Sequence, residues 1–148
     1  MGIAALVAWI LTAGGGFFML AKWLSGGGHR GNRATRFPPA LIFGHFLLAV
    51  VGLVLWIVYL LMDNDPVGWA ALIVLVPVAL LGFTMLARWI PVYRNSMASA
   101  TPAAGGSPAG SDDAAPERSF PVAVVAAHGL LAVATVVLVL LAMVGIGS

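Results

Sequence analysis

The chain has 148 residues, 61 % of them hydrophobic and 8 % charged, with seven basic, five acidic and three histidine side chains and a formal net charge of +2. A soluble domain carries about 25 % charged residues, so this composition excludes a water-facing globular surface and makes lipid the solvent. The absence of cysteine excludes disulfides, iron–sulfur clusters, thiolate metal sites and haem attachment through C-x-x-C-H.

Four apolar runs are each long enough to cross a bilayer, since ~20 helical residues at ~1.5 Å each cover its ~30 Å hydrocarbon core. They predict helices over about 3–24, 38–62, 67–90 and 120–146. Backbone groups find no partners in hydrocarbon, so each run must be helical. The first run has nothing basic before it and Lys22 after it, the reverse of a cleaved signal peptide. The expected fold is all-α, a single integral membrane four-helix bundle over 1–148.

Lys22, Arg30, Arg33, Arg36, Arg88, Arg94 and Arg118 all fall between the first and second or the third and fourth runs, or at their ends. The connection MDNDP between runs two and three holds Asp63 and Asp65 and no base. The positive-inside rule then places both basic loops in the cytoplasm and both termini outside. Basic residues so distributed explain the charge by topology, with no nucleic-acid partner. Trp23, Trp89 and Tyr93 are placed for an aromatic belt at the cytoplasmic interface, and Tyr59 and Trp69 at the other. Residues 95–119, small, polar and Pro-rich, read as a flexible cytoplasmic linker.

The stretch FPPALIFGHFLLAV (37–50) is matched by FPVAVVAAHGLLAV (120–133) at a shift of 83, which superposes Phe37 on Phe120, Pro38 on Pro121 and His45 on His128. GFFMLAKWL (16–24) is matched by GFTMLARWI (82–90) at a shift of 66, which superposes Lys22 on Arg88 and Trp23 on Trp89. The shifts differ by the extra length of the second linker. The chain therefore reads as two tandem hairpins, about 1–62 and 67–148. They form a parallel repeat, N-out and C-out, about a pseudo-two-fold axis along the membrane normal. Proline in the first turn of runs two and four sets both histidines about 10 Å into their helices, at one depth in the cytoplasmic half.

Ionisable residues inside a membrane are costly and mark function. Two imidazoles at equal depth on different helices suit the two axial positions of one haem iron, because bundle cofactor sites are built from facing helices. Gly44 and Gly129 beside His45 and His128 would let a flat macrocycle approach the backbone. Lys22, Arg36, Arg88 and Arg118 lie where haem propionates would seek cations. Three other readings compete. A bare metal site has too few ligands, with Met19 and Met85 the only repeat-matched soft donors. A proton or ion relay lacks an intramembrane acid. In the last, each histidine is a structural hydrogen-bond partner between helices. His29 lies in a Gly/Arg-rich loop and reads as solvated.

With His45 and His128 so placed, the layout resembles the small four-helix b-type cytochromes that serve as membrane subunits of respiratory oxidoreductases. That resemblance implies one haem b, electron transport, and exchange of electrons with quinone or with other subunits of a redox complex. The two-haem members need four histidine ligands, and only two intramembrane histidines exist here. For a quinone, only Thr12, Thr84, Thr135 and Tyr59 offer polar contacts. No nucleophile or acid–base pair marks a complete enzyme. The alternative function is a non-catalytic accessory subunit with both histidines structural. Abundant Ala, Gly and Val suggest a bacterial genome rich in G and C, hence a bacterial inner membrane protein.

Overall fold

The computed structural model describes residues 1–30, 35–99 and 115–146. Among them stand four long helices, α1 (Gly2–Ser25), α2 (Pro39–Met62), α3 (Asp65–Ser99) and α4 (Val122–Met143), with a 3₁₀ turn at Pro116–Ser119 before α4. No strand occurs among the described residues. All four helices are long and apolar enough to cross a membrane. Their outward faces are apolar too, with Ile73 at 67 % and Leu130 at 73 % exposed. That is the surface of a helix meant for a non-aqueous neighbour.

The bundle runs up-down-up-down. Only Asp63 and Asn64 separate α2 from α3, and so short a connection forces antiparallel neighbours. Asp63 takes the left-handed conformation at φ 50° that ends α2 and turns the chain. Packing is closest between α2 and α3 and between α1 and α4; α1–α2 and α3–α4 meet less, and the backbones of the diagonal helices do not approach closely. The bundle is thus two tight helix pairs with a seam along each side. Each pair joins a helix of the first half of the chain to one of the second.

Two aromatic-rich clusters fill the ends. Trp9, Trp56, Leu75 and Val139 form one, at the end bearing Asp63 and Asp65. Trp23, Phe37, Ile42, Trp89 and Phe120 form the other, at the basic end. Trp23 and Trp89 are therefore core residues, at 0 % and 7 % exposed, and not the outward belt their positions suggest. Each indole N–H has an inward acceptor: Trp23 Nε1 donates to Thr35 Oγ1 at 3.2 Å, and Trp89 Nε1 to the Glu117 carbonyl at 3.2 Å.

The helix boundaries differ from the sequence reading chiefly in α3, which continues through Pro91 to Ser99 instead of ending near 90. Pro91 removes one intrahelical bond, but Trp89 stacks on Tyr93 at 5.1 Å and Val92 is buried, so the added turns are packed. The stretch read as linker over 95–119 is helical to Ser99 and turns at 116–119; residues 100–114, and Arg33 in the first loop, lie outside the described residues.

Within the 3₁₀ turn, Glu117 is fully buried. Its Oε1 accepts the Arg36 backbone N–H at 2.6 Å and its Oε2 accepts the Thr35 hydroxyl at 3.1 Å. One carboxylate thereby ties the segment before α4 to the segment before α2. Removing it takes the partner from two part-buried donors, at about 0.5–1.5 kcal/mol for each hydrogen bond lost. Glu117→Ala is accordingly expected to lower the thermal midpoint in detergent, and an unchanged midpoint would place Glu117 in water instead.

Candidate functional site

α2 and α4 lie diagonally, one in each tight pair, and each presents a histidine to the interior. His45 Nδ1 lies 3.0 Å from the Val78 carbonyl oxygen on α3, and His128 Nδ1 lies 2.8 Å from the Thr12 carbonyl oxygen on α1. A carbonyl can only accept, so Nδ1 must carry the hydrogen and donate. In a neutral imidazole that leaves the lone pair on Nε2. Neither Nε2 has a hydrogen-bond partner among the described residues, and no buried side-chain nitrogen or oxygen among them lacks one. Both Nε2 atoms therefore open onto free space.

That space is a cavity of about 440 Å³ between the two helix pairs, lined by His45 and His128. Its size falls within the ~300–1,000 Å³ of small-molecule and cofactor sites, and apart from the imidazoles no ionisable side chain lines it. The lining residues of α1 and α3 fall in pairs 66 apart, among them Thr12 and Val78, Gly16 and Gly82, and Phe17 and Phe83. Those of α2 and α4 pair at 83, as with Ile42 and Val125 or Ala49 and Ala132; only Trp89, Thr135 and Val137 of the helical lining have no counterpart in it. The two backbone acceptors obey the same rule as the two histidines.

Glycine explains why helical carbonyls are free to accept. Gly16 and Gly82 stand one turn after Thr12 and Val78, where a side chain would cover the carbonyl. A Cβ on Gly16 would come within 3.2 Å of His128 Cε1, and one on Gly82 within 3.3 Å of His45 Cε1. These are the close approaches of the site. At Gly44 and Gly129 a Cβ would meet nothing within 4 Å, and only Gly129 lines the cavity.

The imidazole centroids are 6.4 Å apart, with ring planes at 60°. Two imidazoles bonded to one metal from opposite sides, each at about 2 Å with the ring centre about 1 Å further back, have centroids about 6 Å apart. Two nitrogen donors on one cavity could hold a metal whose other ligands come from a macrocycle. No group of three or more His, Cys, Asp or Glu that could hold a bare ion exists among the described residues.

The basic residues sit apart from the cavity. Arg36 and Arg88 line a shallow pocket with Thr35 and Pro38 at the basic end, and Phe37 separates it from the cavity, lining both. Arg88 Nη1 donates to the Arg36 carbonyl at 3.0 Å. Lys22 lies 5.7 Å from the Phe18 ring centre, and Arg118 is exposed in the 3₁₀ turn. None of the four lines the cavity.

Among the polar residues, the Thr12 and Thr135 hydroxyls donate to the Ala8 and Leu131 carbonyls of their own helices. Thr84 is exposed and bonds Leu80, and Tyr59 packs on Trp56 at the far end. Sequence reasoning named Thr12 for its hydroxyl but missed its carbonyl, and it missed Gly16, Gly82 and Val78 as parts of the site and Glu117 near its basic end. The glycines were visible as the first residue of each matched stretch, whereas the carbonyls leave no mark in side-chain identity.

No family model matches the chain, and no curated protein and no solved structure matches it significantly.

A bulky residue at the glycine should separate each imidazole from its carbonyl. In protein carrying ¹⁵N-labelled histidine, His45 and His128 are expected to show the Nδ1–H tautomer without added cofactor. Gly16→Val should disturb the His128 signals alone and Gly82→Val those of His45; unaltered spectra would remove the glycines from this role.

Proposed function

We propose that the protein is a membrane electron-transfer protein that holds one haem b between His45 and His128. The observation that carries the reading is the paired geometry: two imidazoles, each locked by an Nδ1–H bond to a backbone carbonyl, turn their Nε2 lone pairs into one cavity with centroids 6.4 Å apart. Metal-bound histidines are oriented by such a bond at the second nitrogen, which fixes the tautomer and raises ligand basicity.

When bound, the haem supplies one-electron redox chemistry, and the protein adjusts its potential through ligation and burial. The chain's own part is to hold the imidazoles, exclude water with apolar walls, and offer Arg36 and Arg88, with Lys22 and Arg118 nearby, as cations at one end. Those arginines do not line the cavity, and Phe37 lines both it and the pocket that holds them.

We read the four helices as a bacterial inner-membrane bundle of two tandem hairpins, with the basic end in the cytoplasm and both termini outside. The cavity residues paired at shifts of 66 and 83 support the repeat. The charge distribution supports the orientation, since every described basic residue lies toward the Trp23–Trp89 end and Asp63 and Asp65 toward the other. Electron partners are quinone or other subunits of a redox complex.

A second reading has an observation of its own. The histidine–carbonyl bonds join α2 to α3 and α4 to α1, as a purely structural pair would in an accessory subunit. The two part on the free Nε2 atoms, which structure alone does not use.

A reduced-minus-oxidised visible spectrum of the purified protein separates them. The expected result is a sharp b-type signal that is lost or shifted in both His45→Ala and His128→Ala. A wild type that stays colourless after haem supplementation would sink the haem reading and leave the structural one.

A further inference from the structure

The cavity is stopped along the bundle axis. Toward the basic end it meets Phe37 and Phe120, at 2 % and 9 % exposed, and toward the other end the cluster of Trp9 and Trp56. Access must run sideways between helices. The close α2–α3 and α1–α4 contacts are shut by packing, which leaves the α1–α2 and α3–α4 seams.

These seams use matched positions but differ at one point. In the α1–α2 seam the Phe17 and Phe46 rings meet edge to face, centroids 5.2 Å apart at 78°. In the α3–α4 seam the counterpart of Phe17 is Phe83, the two being 54 % and 58 % exposed, while the counterpart of Phe46 is Gly129. Gly129 lines the cavity, and a Cβ there would meet no atom within 4 Å. Where one seam has a phenyl ring, the other has no side chain, and the position its Cβ would take is open.

We propose that the α3–α4 seam, where Gly129 stands in place of a phenylalanine, is the lateral entrance of the histidine cavity and admits an uncharged, flat ring compound dissolved in the bilayer. The chemistry of the occupant follows from the walls. Outside the seam lies hydrocarbon, because all four helices carry apolar outer faces. Inside, the lining has no charged group to repay the desolvation of an ion. The missing side chain is an aromatic ring, so the gap suits a planar ring better than a bulky branched solute. The proposal requires the membrane reading of the four helices and does not require a metal between the histidines.

Ala132 on α4 and Ala49 on α2 are a matched pair in the cavity wall, one behind each seam. A small apolar aryl diazirine is dissolved in proteoliposomes of the purified full chain, photolysed, and its adducts are mapped by peptide mass spectrometry. The expected result is several-fold more label at Ala132 than at Ala49. Gly129→Phe should bring Ala132 down to the level of Ala49, and Phe46→Gly should raise Ala49. Equal labelling of the two alanines in the wild type overturns the entrance, whether or not either variant folds. The visible spectrum of the same sample keeps the two readings separable. A haem signal with even labelling removes the entrance alone, and uneven labelling without a haem signal removes the haem alone.

Discussion

A neutral imidazole in hydrocarbon has one N–H that must be satisfied, and water is not there to do it. Much of this bundle follows from how that requirement is met. Serine or threonine partners would have satisfied the N–H, but a hydroxyl can donate as well as accept and would leave the tautomer open. A backbone carbonyl can only accept. By directing both Nδ1–H groups to the Val78 and Thr12 carbonyls, the fold decides where the remaining lone pairs are. It also decides where side chains are unwelcome, since a Cβ on the residue one turn after either carbonyl would crowd the imidazole. Gly16 and Gly82 stand at those two positions. Two glycines, two carbonyls and two imidazoles therefore form one device used twice.

The device also shapes the bundle. Each histidine bonds across a tight helix pair, so the polar contacts lie within the pairs and the space between pairs stays apolar. Tryptophan and phenylalanine close both ends, with indole N–H groups turned to the Thr35 hydroxyl and to the Glu117 and Gly2 carbonyls. The cavity is bounded by aromatic packing above and below and by histidine-bearing walls on two sides. Apart from the imidazoles and two threonines whose hydroxyls bond their own helices, the walls the pair faces are apolar.

Much of this was legible in the residues, because hydrophobic length and charge placement are strong signals. Four spans, their order and the pairing of His45 with His128 follow from apolar run length and from two Phe-Pro starts. Two things were not legible, for distinct reasons. The carbonyl partners are backbone atoms, identical in every residue, so only the glycines one turn later could betray them. Glu117 lies in a stretch of Ala, Pro and Ser without periodicity, and its burial depends on Thr35 and Arg36, which are 82 and 81 residues earlier in the chain. The same blindness let α3 be read short at Pro91, since the packing of Val92 and Tyr93 is tertiary. Trp23 and Trp89 were placed at the right end and on the wrong face, because position along a helix says nothing of which way an indole turns.

The pairing of helices across the two halves has a consequence for biosynthesis. α1 and α2 leave the ribosome first, yet neither finds its closest neighbour in the other: α2 packs on α3 and α1 on α4. While only the first two helices have been made, His45 lacks the carbonyl that receives its Nδ1–H, since that acceptor is Val78 of α3. His128 is in the opposite position, arriving last to an acceptor on α1 that has waited since the start of synthesis. Synthesis of the helices and completion of the site are therefore separate events: the second needs α4 beside α1, so a chain stopped after the third helix has one imidazole with its acceptor and lacks the other.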